Sequence, residues 1–148
     1  MCLFGPDILL AETAEKDQKR PFLQEPRETS KEGCVFKHQG APYIPGRPAS
    51  GGTQRKYKFY ETASFLVTAL NNQRSVSLSL YNANDELVPA GNVTIPPNFP
   101  IPAVGDIVEA RFLYAYRESG SIYQPVFLGK RDDIPPASCS TKQLKYKS

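Results

Sequence analysis

The stretch Ser75-Val76-Ser77-Leu78-Ser79-Leu80 carries the clearest structural signal in the sequence. Apolar and small polar side chains alternate through it without interruption, and successive side chains of a strand point to opposite faces. The apolar residues therefore share one face, and the serines share the other. This pattern predicts an antiparallel strand with one buried face.

Further strand patterns surround this stretch. Residues 57–70, 87–95, 107–116 and 121–128 are rich in aromatic and β-branched side chains or are bounded by turn residues. Gly91 indicates a bulge, and the proline-rich residues 96–106 predict an irregular crossover. Five short strands with a long connection between the third and fourth suggest a Greek-key barrel of the OB type, because closure removes exposed strand edges. The pattern by itself also allows another small barrel or a β-sandwich.

Length and charge set bounds on the function. At 148 residues and 16.4 kDa, the chain fits one domain with an attached segment. The net charge of +3 is only a weak argument for a nucleic-acid partner. Basic residues cluster at 55–58, at 130–131 and in the tail at 142–147, although such clusters are often solvated faces. Tyr114, Tyr116 and Tyr123 are candidates either for stacking on bases or for packing the barrel core.

Cysteine and histidine usage excludes a structural zinc site and argues against a disulfide framework. The cysteines Cys2, Cys34 and Cys139 are widely spaced and odd in number, and His38 is the only histidine. The sequence also lacks a long apolar run with a basic preface and a cleavage site. We therefore expect no signal peptide, no membrane partner and a cytoplasmic location.

The first thirty-one residues differ in composition from the rest of the chain. They are rich in Glu, Lys and Gln, and Pro21 and Pro26 interrupt any long helix. We expect a helical or disordered lead-in, with a short helix around residues 11–19 and a poorly ordered connection after it.

A group of charged residues lies between this lead-in and the barrel. Glu32-Gly33-Cys34-Val35-Phe36-Lys37 is followed nineteen residues later by Lys56-Tyr57-Lys58-Phe59. In strands, Lys56 and Lys58 share a face, and Glu32, which cannot share a face with Lys37, can point into a cleft beside them. A carboxylate beside lysines predicts a site for phosphate and a divalent cation. Alternatively, the lysines form the solvent face of an edge strand, and Glu32 is a solvated loop carboxylate.

Together these segments resemble two motifs of the ATP-dependent DNA ligases, which read Glu-Gly-x-Val-x-Lys and Lys-x-Lys. The loop Pro42-Tyr43-Ile44-Pro45-Gly46-Arg47-Pro48 resembles the Pro-Tyr-x-x-Gly-Arg segment that DNA ligases place between these motifs. Val104-Gly105-Asp106-Ile107-Val108 is similar to the start of a strand in the ligase OB domain, and residues 139–147 are similar to the ending of a bacterial branch of these ligases. The resemblance covers residues 32–147 and favours the OB barrel over the other architectures.

A third motif is similar at the end of the barrel. Pro125-Val126-Phe127-Leu128-Gly129-Lys130-Arg131-Asp132-Asp133 resembles the last ligase motif, Pro-Arg-Phe-x-Arg-x-Arg-x-Asp-Lys. Arg131 takes the place of the second arginine of the pattern Arg-x-Arg, whereas Gly129 replaces the first and Ile134 stands in place of the lysine. The alternative is a charged turn that follows the last strand.

The resemblance implies the C-terminal part of a ligase and a mainly β fold. It divides the chain into a lead-in (1–31), the last strands of a nucleotidyltransferase domain (32–60), an OB-fold domain (61–134) and a basic tail (135–148). Glu32 would help to hold Mg2+, while Lys56 and Lys58 would contact the α-phosphate of ATP. Lys37 would neutralise neighbouring oxygens, and Arg131 would orient the departing pyrophosphate. Nicked duplex DNA would be the substrate.

One part of the ligase chemistry is missing from the sequence. The ligase nucleophile belongs to a Lys-x-Asp-Gly motif, and these 148 residues contain none. We therefore expect no ligation by this polypeptide alone. Three functions are compatible with the sequence: the C-terminal part of a ligase, a non-enzymatic OB-fold module that binds nucleic acid, and an interaction subunit that completes a nucleotidyltransferase domain supplied by another chain.

Overall fold

The computed structural model describes residues 10–29, 31–46 and 52–147. A 3-10 turn (Lys16–Gln18) leads into helix α1 (Lys19–Glu28), and strands β1 (Gly33–Lys37) and β2 (Gln54–Lys58) form a hairpin. The remaining strands are β3 (Glu61–Asn71), β4 (Ser75–Tyr81), β5 (Leu87–Thr94), β6 (Ile107–Phe112), β7 (Tyr114–Ala115), β8 (Ile122–Tyr123) and β9 (Val126–Arg131).

Five strands form one antiparallel sheet in the order β5-β4-β3-β6-β9. The two outer strands, β5 and β9, also contact each other, so the sheet curls into a barrel. Strands β4 and β5 lie on one side of β3. The chain then crosses over through residues 95–106 and places β6 on the other side of β3. This Greek-key arrangement has the topology of an OB fold, and it confirms the predicted mainly β architecture.

The long strand β3 joins the two sides of the barrel. Its first half pairs with β6, and its second half pairs with β4, with a bulge between Val67 and Ala69. A second bulge interrupts the β4–β5 ladder between Pro89 and Gly91, where Gly91 has a φ of 106°. Glycine adopts such a conformation without strain, and the bulge expected at this residue is present.

The barrel core contains the apolar face that the alternating stretch predicted. Val76, Leu78 and Leu80 of β4 are all buried. Phe65 of β3 meets Phe112 of β6 edge to face, with 6.1 Å between the ring centroids. Burial of each such large side chain contributes about 1.5–3 kcal/mol to the free energy of unfolding, so this face stabilises the fold.

Three of the predicted strands have different limits in the structure. The 57–70 strand is divided between β2 and β3, because the chain turns at the buried Phe59. The 107–116 strand is divided at Leu113, and the 121–128 strand is divided at Gln124, whose φ is 52°. These bends let β7 and β8 leave the barrel sheet and pair with each other. Lys130 and Arg131 belong to β9, and Asp132 and Asp133 follow directly after this last strand.

The helix prediction for the lead-in was wrong in position. Residues 11–15 are not helical, and the helix spans Lys19–Glu28, which contains both prolines. Pro21 is tolerated because backbone N–H groups in the first turn have no partner within the helix. Pro26 lies inside the helix, two residues before its end, and its missing N–H removes one hydrogen bond of the helix.

The tail packs along the barrel. It contains two 3-10 turns (Pro136–Ser138 and Thr141–Gln143) and pairs with the barrel at two parallel bridges, Tyr81 with Ser140 and Ala115 with Tyr146. Ile134, which stands where the ligase motif has a lysine, packs against the barrel core.

Among the described residues, no helix is long and apolar enough to cross a membrane.

Candidate functional site

The β1–β2 hairpin places the predicted lysines together. Its antiparallel register pairs Gly33 with Lys58, Val35 with Lys56, and Lys37 with Gln54. Side chains of directly paired residues project from the same face of a sheet. Lys37, Lys56 and Lys58 therefore share one face of the hairpin, where the first two are exposed and Lys58 is half-buried.

Gly33 allows the two strands to approach closely. A Cβ atom at this position would lie 2.1 Å from the carbonyl oxygen of Tyr57, so no side chain fits. The approach lets the backbone N–H of Phe59 donate to the carbonyl oxygen of Glu32 over 3.0 Å. The Glu32 carboxylate consequently lies 3.7 Å from the Lys58 ammonium.

Lys58 also joins the hairpin to the barrel. Its ammonium donates a hydrogen bond of 2.9 Å to the side-chain oxygen of Gln124, in the turn between β8 and β9. No sequence pattern predicted the role of Gln124, because glutamine is not a typical residue for the positive φ that it adopts. In the described part of the chain, neither Lys37 nor Lys56 has a carboxylate within 4 Å.

Glu32 fits the role of a single magnesium ligand. Its side chain is 56% exposed, so the carboxylate is accessible to a cation. Groups of three or more carboxylate, histidine or cysteine ligands are absent from the described residues. Mg2+ in nucleotide sites typically takes one or two carboxylates and completes its shell with substrate phosphates and water. A lone accessible carboxylate beside three lysines fits that requirement.

Arg131 lies elsewhere, in a network of carboxylates. Its guanidinium donates to both oxygens of Asp133, through Nε at 2.9 Å and Nη2 at 2.5 Å. Its Nη1 donates to Glu109 at 3.1 Å and to the hydroxyl of Ser64 at 3.2 Å. These hydrogen bonds hold the pKa of Asp133 below its ordinary value and raise the pKa of Arg131. The polar contacts of Arg131 within the described residues do not include Glu32 or any of the three lysines of the hairpin.

The three tyrosines form a cluster at the β7–β8 hairpin. Tyr114 and Tyr123 are stacked with 4.9 Å between centroids, and Tyr116 meets both rings at a steep angle. Tyr114 is buried, and this burial, aided by a hydrogen bond with Tyr116, raises its pKa to about 12. Tyr116 remains 38% exposed. Tyr114 therefore packs within the cluster, while part of the Tyr116 ring is exposed to solvent.

The other face of the β1–β2 hairpin carries aromatic side chains together with Arg55, and two arginines of α1 lie beside it. Phe36 and Tyr57 are exposed there, and together with Phe59 and helix α1 they line a groove of about 370 Å³.

Within the Pro-Tyr-x-x-Gly-Arg loop, residues 42–46 are irregular, and Arg47 and Pro48 lie outside the described residues.

Comparison with known proteins identifies the fold. No protein-family model matches the chain, and no curated protein matches it. A Lig E DNA ligase structure is similar at 22% sequence identity and a TM-score of 0.53, over 76% of this chain and 45% of the ligase. The ligase domain of M. tuberculosis LigD is 19% identical over 79% of this chain and 48% of that domain, with a TM-score of 0.45. A mycobacterial DNA ligase D complexed with ATP and MES is 19% identical over 79% of this chain and 49% of its own, with a TM-score of 0.43.

The likeness to solved structures agrees with the motifs at the level of the fold. The chain spans less than half of the Lig E ligase that it matches. Over most of its length, this chain has the fold of the matched part of the Lig E DNA ligase.

Proposed function

We propose that this chain is the C-terminal portion of an ATP-dependent DNA ligase and acts on nicked duplex DNA. The observation that carries the proposal is the close approach at Gly33, which places the Glu32 carboxylate 3.7 Å from Lys58 on a hairpin that also presents Lys56. The fold shared with the Lig E ligase supports it. We also propose a cytoplasmic location, as expected for a chain of this composition.

The lysine face is suited to phosphate chemistry. In ligation, an amine attacks the α-phosphorus of ATP and expels pyrophosphate, AMP passes to the 5′-phosphate of the nick, and the 3′-hydroxyl displaces AMP. Each step builds negative charge on phosphate oxygens, which fixed cations stabilise. Lys56 and Lys58 would contact the α-phosphate, and Lys37 would neutralise neighbouring oxygens. Mg2+, with Glu32 as its carboxylate ligand, would supply further charge neutralisation.

Lys58 is already prepared for this task. Its ammonium is held by Glu32 and Gln124, so its position is defined before a phosphate arrives. Both partners are exposed, so a phosphate can compete with them from solvent. Lys56 makes no such contact in the described residues and is free to follow the nucleotide. Arg131 would orient pyrophosphate only after leaving Asp133 and Glu109.

The missing nucleophile limits what this polypeptide does alone. Without a Lys-x-Asp-Gly motif, the lysyl adenylate does not form on these residues. We therefore propose that a nucleotidyltransferase half carrying this motif completes the enzyme. The apolar side chains of Val35, Phe36 and Tyr57 favour such an arrangement, because an isolated two-stranded hairpin is marginally stable and these residues are exposed. If that half is a separate chain, this protein is an interaction subunit.

The second candidate function is a non-enzymatic module that binds nucleic acid. The exposed Tyr116 and the basic tail beside it favour this function, because OB folds bind strands with stacking aromatics and cationic grooves. Such a module would not require Glu32, Lys56 and Lys58 to act together.

Binding and sealing of a nicked duplex together test the proposal. With ATP and Mg2+, the chain alone should bind the duplex and form no sealed product. The double variant Lys56→Ala/Lys58→Ala should bind about tenfold or more weakly, since each phosphate contact releases a counterion. Lys16→Ala/Lys19→Ala, at two exposed lysines of the lead-in, is the matched control for the loss of charge. Sealed product from the chain alone, absence of binding, or an equal effect of both double variants would oppose the proposal.

A further inference from the structure

The basic residues of the barrel differ in how far carboxylates neutralise them. Lys130 lies 3.0 Å from Asp106, and Arg131 is shared between Glu109 and Asp133. In contrast, no carboxylate lies within 4 Å of Arg117, Lys145 or Lys147 anywhere in residues 10–29, 31–46 and 52–147. These three residues are therefore not neutralised by a described carboxylate, and their positive charge can attract an external anion.

The tail is held in place by specific hydrogen bonds. The side-chain oxygen of Gln143 accepts from the backbone N–H of Ser64 at 3.0 Å, and its amide nitrogen donates to the carbonyl of Ser138 at 2.9 Å. Further along, Ala115 donates to the carbonyl of Lys145 at 2.7 Å and accepts from the N–H of Lys147 at 2.9 Å. The last residues thus run beside β7 as an added strand.

This added strand brings the cations to the aromatic cluster. The Lys147 ammonium lies 5.5 Å from the centroid of the Tyr114 ring. The Arg117 guanidinium lies over the Tyr146 ring at 5.6 Å, and its Nε donates to the carbonyl of Lys147 at 3.3 Å. We name this region the tail-tyrosine surface and define it by Tyr116, Tyr123, Arg117, Lys145 and Lys147.

The surface combines two features that a nucleic-acid strand requires. Cations beside one another hold phosphates, and an exposed ring held by its neighbours offers a stacking plane without loss of side-chain freedom. Tyr116 provides that plane, because Tyr114 and Tyr123 fix its orientation. Two carboxylates lie nearby: Glu118 is adjacent to Arg117 in the chain, and Glu32 is paired with Lys58.

We infer that the tail-tyrosine surface binds single-stranded nucleic acid, with phosphates on Arg117, Lys145 and Lys147 and one base stacked on Tyr116. A single strand is favoured over a duplex because a paired base has no free face to place on the ring. The inference rests on the proposed function for the class of ligand, and it adds a second contact region outside the lysine face of the hairpin.

Anisotropy titrations with a fluorescent twelve-nucleotide oligo-dT and with the nicked duplex test the inference. Arg117→Gln/Lys147→Gln should bind oligo-dT at least tenfold more weakly and reduce the salt slope by about 1.4, which is 0.7 for each lost phosphate contact. Tyr116→Leu should weaken binding by about fivefold or more, and Tyr116→Phe should retain it. Lys16→Gln/Lys19→Gln, at two exposed lysines of the lead-in, removes the same charge and should have little effect. Thermal melting checks that every variant is folded.

Each alternative result has a distinct meaning. If the control double variant weakens oligo-dT binding as much as Arg117→Gln/Lys147→Gln, net charge alone explains the affinity, and the inference is wrong. If the nicked duplex binds but oligo-dT does not, the inference fails while the proposed function stands. If neither binds, the proposed function fails as well. Equal affinity of Tyr116→Leu and the unsubstituted chain would remove the stacking contact from the account.

Discussion

The ammonium of Lys58 donates a hydrogen bond to the side chain of Gln124, which lies 66 residues later in the sequence and 2.9 Å away in space. The same ammonium lies 3.7 Å from the Glu32 carboxylate. One residue thus connects the charged hairpin, the carboxylate and the turn that leads into the last barrel strand. This hydrogen bond therefore helps to position the hairpin, with its charged Lys58 side chain, against the barrel.

Replacement of Gln124 by alanine should loosen the hairpin. The variant loses the acceptor of Lys58, so the amides of β2 should exchange with solvent several-fold faster. Gln73→Ala is the matched control, because Gln73 is also exposed and also has a positive φ, 56° against 52° for Gln124. Hydrogen exchange monitored by mass spectrometry measures the difference. Equal protection of β2 in both variants would show that the Lys58–Gln124 bond does not hold the hairpin.

Gly33→Ala should destabilise the hairpin more than any other glycine-to-alanine change in a strand. The added Cβ would lie 2.1 Å from the Tyr57 carbonyl oxygen, so the strands must separate, and Glu32 would move away from Lys58. Strain of this kind lowers the free energy of unfolding by roughly 1–3 kcal/mol. Gly129→Ala in β9 is the control, since no atom lies within 4 Å of its added Cβ. Chemical denaturation should separate the two variants, and equal stability would contradict the geometry.

The free energy of unfolding should decrease in acid, in part because the Asp133 carboxylate becomes protonated. Hydrogen bonds from Arg131 hold the pKa of this carboxyl below its ordinary value of 3.8. Since the pKa is lower in the folded state than in the unfolded state, the stabilisation is present above the unfolded pKa and is lost as the pH falls through the folded one. The Asp133→Asn variant should therefore show a flatter decline in the free energy of unfolding below about pH 4. Asp132→Asn, which removes only a 3.7 Å contact with Lys130, should keep the original slope.

The cysteine of the tail should be chemically protected. Burial raises the pKa of the Cys139 thiol, and its side chain is fully enclosed, whereas Cys34 is half-buried. Because the thiolate is the reactive form, iodoacetamide should label Cys34 faster than Cys139 by a factor on the order of ten or more. Peptide mass spectrometry gives both rates in one sample. Equal rates in the folded protein would mean that the tail is not packed on the barrel.

The sequence predicted what depends on local pattern. Alternation in β4 predicted its buried face, and the turn residues and the proline-rich crossover predicted five short strands with a long connection. The choice of a Greek-key barrel over a sandwich came from the ligase resemblance. The Lys-x-Lys segment predicted that Lys56 and Lys58 share a face, and the register of the hairpin adds Lys37 to that face, which the sequence pattern did not predict. These features follow from residues that are close in the chain.

Contacts between distant residues could not be predicted in the same way. The Lys58–Gln124 bond and the carboxylates around Arg131 depend on which strands become neighbours and in which register. The predicted helix lies too early because proline usually ends a helix, whereas this helix holds Pro21 in its first turn and continues through Pro26. Ile134 was noted as a departure from the ligase motif, and its packing against the core supplies a structural reason for it.

Transfer of AMP to a nicked duplex tests the central claim most directly. The chain would be mixed with an adenylated polypeptide that carries the Lys-x-Asp-Gly motif, and labelled AMP and sealed DNA would be measured. The account predicts sealing in the mixture, no sealing by the chain alone, and a loss of about a hundredfold or more for Lys58→Ala but not for Lys19→Ala. Sealing by the chain alone, unchanged sealing with Lys58→Ala, or no sealing in a mixture that still binds the nick would contradict it.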